Sequence, residues 1–120
     1  MTTSPIRKLA EGELIDQPWG CLRWLASRKL GNSSTMTFGR VTIPAGIANP
    51  RHRHPNFDEI LHLLSGRIEH SIGDEYFVLE PGDTISIPAG IWHNARSIGN
   101  CEAEIVICFS SADRETELEP

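Results

Sequence analysis

From Ser34 onward apolar residues come in short runs rich in β-branched side chains, and each run is cut by Gly, Pro, Asp or Asn before a helical period can establish itself. The pattern predicts strands over residues 35–43, 58–64, 67–72, 75–79, 84–87, 92–97 and 103–109. One or two leading strands precede them, with 19–25 the clearest. Many short strands joined by tight turns describe an antiparallel sandwich or barrel. Gly73-Asp74 supplies a two-residue hairpin loop. That loop sets Ile72 opposite Glu75, His70 opposite Phe77 and Ile68 opposite Leu79, with Glu69, Ser71 and Tyr76 on the other face. The runs 59–64 and 103–109 are apolar on both faces, the mark of strands covered on two sides, as at a subunit contact. Residues 1–33 read as a leading arm, 34–110 as a barrel domain, and 111–120 as a polar, flexible tail.

The pentapeptide Ile-Pro-Ala-Gly-Ile occurs at 43–47 and again at 87–91, and histidine follows each copy within a few positions. Two readings stand open: common turn chemistry, or two equivalent corners beside one site.

Composition narrows the partners. With 120 residues there is room for one domain, and 18 are Gly or Pro, in keeping with many turns. A net charge of -5 without any Lys/Arg cluster argues against a nucleic-acid groove or an anionic membrane surface, which leaves a small molecule or another protein. No apolar stretch near the start reads as a signal or a span. Three cysteines without a CxxC pair fit a reducing, cytoplasmic setting, where they serve as buried small hydrophobes.

Four residues carry the candidate chemistry. His52 and His54, two apart, project from one face of an extended strand. Glu59 opens the next strand, and His93 follows the second Pro-Ala-Gly corner. Neutral imidazoles with one carboxylate suit a borderline divalent metal: iron, manganese, zinc, nickel or copper. Taken alone, His52-x-His54 would read as two surface histidines beside Arg51 and Arg53; with Glu59 and His93 the set reads as a metal site.

The stretch Gly46-x5-His52-x-His54-x4-Glu59-x6-Gly66 resembles the first motif of the cupins, and Gly82-x5-Pro88-x-Gly90-x2-His93 resembles the second, across a 15-residue spacer like that of small bacterial single-domain members. The Asn that usually closes the second motif is replaced by Ser97, which bears on a turn contact and not on the ligands. The resemblance implies an all-β, double-stranded β-helix (jelly-roll) barrel with His52, His54, Glu59 and His93 as ligands of one divalent metal per chain, and a homodimer. Three His and one Glu leave two octahedral positions for water, O2 or substrate. A metal-dependent enzyme acting on a small organic molecule is therefore expected, with a dioxygenase-type oxidoreductase using Fe(II) first and Mn, Ni, Zn or Cu as alternatives. A Lewis-acid isomerase or lyase comes next, then a cupin that only binds a metal or a sugar-like ligand. A closed structural zinc fits less well, because no cysteine lies near the set. Three residues are weaker catalytic candidates: Arg40 as a carboxylate anchor, Tyr76 as a proton donor, and His70 as a substrate contact if it is not an ordinary core histidine. His62, on the face opposite Glu59, reads as a surface or interface residue.

Overall fold

In the computed structural model, which describes residues 4–120, a 3-10 turn at Leu9–Glu11 precedes eleven strands, and no α-helix occurs among the described residues. The strands are β1 Glu13–Gln17, β2 Gly20–Ala26, β3 Thr37–Ile43, β4 His52–Arg53, β5 Glu59–Ser65, β6 Ile68–Ile72, β7 Glu75–Leu79, β8 Thr84–Ile87, β9 His93–Ser97, β10 Ala103–Phe109 and β11 Glu117–Leu118. They form two antiparallel sheets, ordered β1-β2-β3-β10-β5-β8 and β11-β4-β9-β6-β7. The result is an all-β jelly roll.

Alternation along the central strands decides what faces inward. In β10, Ala103, Ile105, Ile107 and Phe109 are buried while Glu104, Val106 and Cys108 turn outward. In β5 the buried set is Glu59, Leu61 and Leu63. Because Glu59 shares a face with two leucines, strand geometry alone carries its carboxylate into the interior. The β6–β7 hairpin has the register the Gly73-Asp74 loop dictates, Ile72 to Glu75, His70 to Phe77 and Ile68 to Leu79.

The two Ile-Pro-Ala-Gly-Ile copies form equivalent corners. β3 and β8 each end at the Ile, and Gly46 and Gly90 close the turns at φ 82° and 80°. Gly46 N–H donates to the Ser97 carbonyl on β9, and Gly90 N–H donates to the His54 carbonyl, each at 2.8 Å. Each corner is thus pinned beside the other motif. Ser97, in place of the usual Asn, is fully buried, and besides accepting from Gly46 it donates its own N–H to the Ile47 carbonyl at 2.9 Å. The close joint at Gly66 permits only glycine. Its φ is 86°, and a Cβ would lie 2.8 Å from Ala103 Cα and the Glu102 carbonyl oxygen.

Within the single chain the outer face of β5 is open, with Ile60 and Leu64 each 44% exposed, the outer residues Glu104, Val106 and Cys108 of β10 are half-buried, and both strands are central in the six-stranded sheet. Two expectations need correction. Segment 111–120 is polar but does not hang in solvent. Ala112 is buried, β11 pairs with β4, and Arg28–Asp113, Arg51–Glu119 and Arg53–Glu117 ion pairs tie the segment down. Main-chain pairing and charge hold it where apolar burial does not. The three cysteines are free, but Cys101 is exposed and Cys21 and Cys108 are only half-buried, because they fall on outward positions and loops.

Candidate metal centre

β4 and β9 are neighbours in the five-stranded sheet, and their register sets His52 directly across from His93. His54, just past β4, comes to the same point, and the ring centroids lie 4.2 Å (His52–His93), 5.0 Å (His52–His54) and 5.2 Å (His54–His93) apart. One ring nitrogen from each falls within 4.8 Å of those of the other two, so these three histidines could hold a metal ion. Glu59 reaches across from the opposite sheet. Its Oε1 lies 3.3 Å from His54 Nε2 and 3.5 Å from His93 Nε2.

The tautomers follow from the outer partners. His52 Nδ1 donates to the Pro50 carbonyl at 2.7 Å, His54 Nδ1 to the Glu115 carbonyl at 3.0 Å, and His93 Nδ1 to the Ile91 carbonyl at 3.1 Å. A carbonyl only accepts, so each Nδ1 carries the proton and each Nε2 presents a lone pair inward. His54 is held further by its stack on Phe57, which itself stacks on Phe109.

Four acceptors therefore converge without a proton among them. Glu59 Oε1 and His93 Nε2 are buried and lack any hydrogen-bond partner. Lone pairs crowded in this way repel unless a cation lies between them. Bonds of about 2.0–2.2 Å to one ion put neighbouring donors roughly 3–3.5 Å apart, which matches the separations from Glu59. The residues present fit a borderline divalent metal.

Electrostatics agree. Burial, then the neighbouring His93, pushes His52 down from 6.5 to about 4, so its imidazole is neutral at pH 7. In the metal-free chain burial works to raise Glu59, but hydrogen bonds and positive charge from His54 and His93, supplied when an Nε2 takes up a proton in place of the cation, outweigh it and hold the carboxyl at about 2. The donor set carries one negative charge.

The histidines and Glu59 line a cavity of about 1340 Å³ between the two sheets, whose other wall includes Trp24, Val41, Leu61, Ile105 and Ile107. His70 also lines it, fully buried, its ring parallel to His93 at 5.7 Å. Arg40 does not. Alternation in β3 buries Val41 and turns Arg40 to the outer face, where it pairs with Glu104 at 3.1 Å. Tyr76, 66% exposed on the edge strand β7, is likewise remote from the cavity. His62 is on the outer face, bonded to Thr84 Oγ1 at 2.7 Å. Sequence reasoning missed Glu115, which acts through its main-chain carbonyl and so leaves no side-chain signal, and Trp24, read only as part of a leading strand.

The family profile described as "Cupin domain" matches residues 39–109. The chain belongs to the cupin family. This cupin is 32% identical over 85 residues to a germin-like protein 3-8 of rice (Oryza sativa subsp. japonica), a match covering 67% of the chain and 38% of the plant protein. It is 35% identical over 105 residues to an uncharacterised protein of Methanocaldococcus jannaschii, covering 84% of each. Among solved structures it is similar to the oxalate decarboxylase of Bacillus subtilis with Mn(II) centres (TM-score 0.83, 23% identity, 92% of this chain and 30% of that one). It is also similar to a Lactobacillus farciminis oxalate decarboxylase in complex with formate (TM-score 0.83, 18% identity, 91% and 34%). At these identities the structural likeness speaks for the fold. The chain spans less than half the length of the germin-like relative and about a third of each decarboxylase.

Proposed function

We propose that this cupin is a metal-dependent enzyme acting on a small organic molecule, with His52, His54, Glu59 and His93 as ligands of one divalent first-row metal. The observation that carries the reading is the convergence of four buried lone-pair donors, Glu59 Oε1 and His93 Nε2 without hydrogen-bond partners, at a largely apolar cavity. When bound there, such a metal supplies O2 activation if it is Fe(II), or Lewis-acid polarisation of a substrate oxygen. The chain's residues do the rest. The carbonyls of Pro50, Ile91 and Glu115 fix three imidazoles with Nε2 inward, Phe57 and Phe109 brace His54, and the apolar wall offers a surface for the body of the reacting molecule.

Dioxygenase-type oxidation with Fe(II) is the first reading, supported by a donor set that leaves octahedral positions for both O2 and substrate. Lewis-acid isomerase or lyase chemistry is the second, favoured by the likeness to a decarboxylase with Mn(II) centres. Elemental analysis of the purified protein should find about one first-row metal per chain. A protein that stays metal-free after incubation with Fe, Mn, Ni and Zn overturns the proposal. Oxygen uptake by the Fe(II) form across β-diketones, catechols, flavonols and keto acids separates the two readings. Metal-dependent isomerisation or elimination without uptake selects the second.

The open outer face of the six-stranded sheet, with Phe38 39% and Ile60 44% exposed, supports a homodimer, checked by sedimentation. Three free cysteines support a reducing, cytoplasmic setting. No helix among the described residues is long and apolar enough to cross a membrane.

A further inference from the structure

Among the described residues the two sheets end in four edge strands, β1, β8, β11 and β7, and these are not protected alike. An unpaired edge is a template for another strand, and charge or short length blunts it. β1 carries Glu13 and Asp16, β8 has four residues, and β11 has two, with Glu117 paired to Arg53. β7 has five residues with neither Pro nor Lys, and its middle is apolar and open: Tyr76 is 66%, Phe77 41% and Val78 49% exposed. A bare edge of that kind is a contact surface.

The hydrogen-bonding phase of β7 follows from its hairpin. A two-residue loop closes on a hydrogen-bonded pair, here Ile72 and Glu75, and the next N–H, that of Gly73, turns the other way to the Trp92 carbonyl at 2.8 Å. Pairs then alternate. Glu75, Phe77 and Leu79 bond to β6, while the N–H and C=O groups of Tyr76 and Val78 point to the free side.

This edge is complementary to itself. Two antiparallel copies related by a twofold axis at Phe77 set Phe77 against Phe77, Tyr76 against Val78 and Glu75 against Leu79. The Tyr76–Val78 pairs are then the hydrogen-bonded ones, so every outward main-chain group of those two residues finds a partner. An aromatic ring opposite a β-branched side chain is a favourable cross-strand pair. Within the strand no acid faces an acid, and just beyond it Asp74 comes opposite Glu80, whose charge Arg67 already offsets at 2.7 Å. A groove of about 390 Å³ beside Phe77, lined by Ile72, Leu79 and Ile85, leaves room for the second phenyl ring.

We infer that β7 pairs with β7 of a second copy of this chain, antiparallel and centred on Phe77, joining two five-stranded sheets into one. The surface is separate from the open face of the six-stranded sheet, and the pairing does not rest on the metal reading.

Sedimentation equilibrium of the protein as purified should show a concentration-dependent association, and Val78→Pro should weaken it about tenfold or more. Proline at 78 removes an outward N–H and none of the bonds to β6, so the hairpin is kept. Cross-linking reads the register and needs no disrupted strand. In a Cys101→Ser background, Phe77→Cys sets two thiols across a non-hydrogen-bonded pair, with Cα atoms about 4.5 Å apart, and should give a disulfide-linked dimer on mild oxidation. Glu75→Cys puts its two thiols about 14 Å apart along the strands and should not. Ile60→Lys, on the open face of the six-stranded sheet, should leave the Phe77→Cys cross-link unchanged. A mass that Val78→Pro does not lower, or cross-linking through Glu75→Cys as fast as through Phe77→Cys, overturns the inference. A monomer at all concentrations overturns it too, and leaves the edge to an extended segment of a different protein.

Discussion

Acidifying the metal-free protein from about pH 7.5 to about pH 5 should lower its stability by about 4 kcal/mol, through His52 and His70. Both imidazoles are lowered to about 4, by burial first and by His93 second. In the unfolded chain each takes up a proton near pH 6.5, whereas in the folded chain each stays neutral until about pH 4. Below pH 6.5 the unfolded state therefore binds more protons, and stability falls as pH falls until the folded-state value is reached. Over the part of that window above pH 5, each site contributes a loss of about 2 kcal/mol. Half-buried His52 gives somewhat less than His70. Glu59, lowered to about 2, works in the same direction, but only where pH falls through 4.5 towards 2. For a chain of this size the expected fall in Tm is about 15 °C. Thermal melts of chelator-treated protein at half-unit pH steps measure it, with His70→Leu as the control that removes one of the two titrations. A Tm that is flat between pH 7.5 and 5, or a His70→Leu slope as steep as wild type, would refute the reasoning.

Other outcomes follow from the same geometry. Glu59→Gln exchanges the one anionic donor for a neutral amide and should weaken metal binding about a hundredfold or more in a competition titration; unchanged occupancy would remove Glu59 from the ligand set. Truncation after Ser110 takes away the Glu115 carbonyl that orients His54, together with β11, and should lower metal affinity about 10–100-fold, read by the same titration. Affinity equal to the full chain would show that Pro50 and Ile91 suffice. Gly66→Ala must place a Cβ against the backbone at Ala103 with φ at 86°, and should cost about 3 kcal/mol in urea unfolding; a loss under about 1 kcal/mol would mean that the turn relaxes.

The parts of the site that were legible in sequence are those set by short-range geometry. Alternation carries His52 and His54 to one face, and it carries Glu59 inward with Leu61 and Leu63. The meeting of His52 with His93 depends on β4 pairing with β9 across some forty residues, and only the family motif pointed to it. Alternation could not say which face of β3 is inner, so Arg40 stood as a substrate anchor until its bond to Glu104 put it outside. Segment 111–120 was misjudged for a different reason. Its contacts are main-chain pairs and ion pairs with residues far away in the chain, Arg28, Arg51 and Arg53, and none of these imprints a period on the sequence. Tyr76 failed as a candidate because an edge position leaves both faces of β7 open, so polarity gives no direction.

The pairing of β11 with β4 has a kinetic consequence. His52 lies on a two-residue strand, with His54 just past its end, and the outer neighbour of that strand is contributed by residues more than sixty positions later. The β3–β10 pairing closes a loop of similar length but offsets it with seven residue pairs where β4–β11 has two, so the β4–β11 pairing is expected to form after the β6–β7 hairpin and the β3–β10–β5 layer. Contacts made after the rate-limiting step govern unfolding more than folding. The last strand therefore acts as a brake on departure: it sets how long a finished centre persists while leaving the speed of its assembly almost untouched.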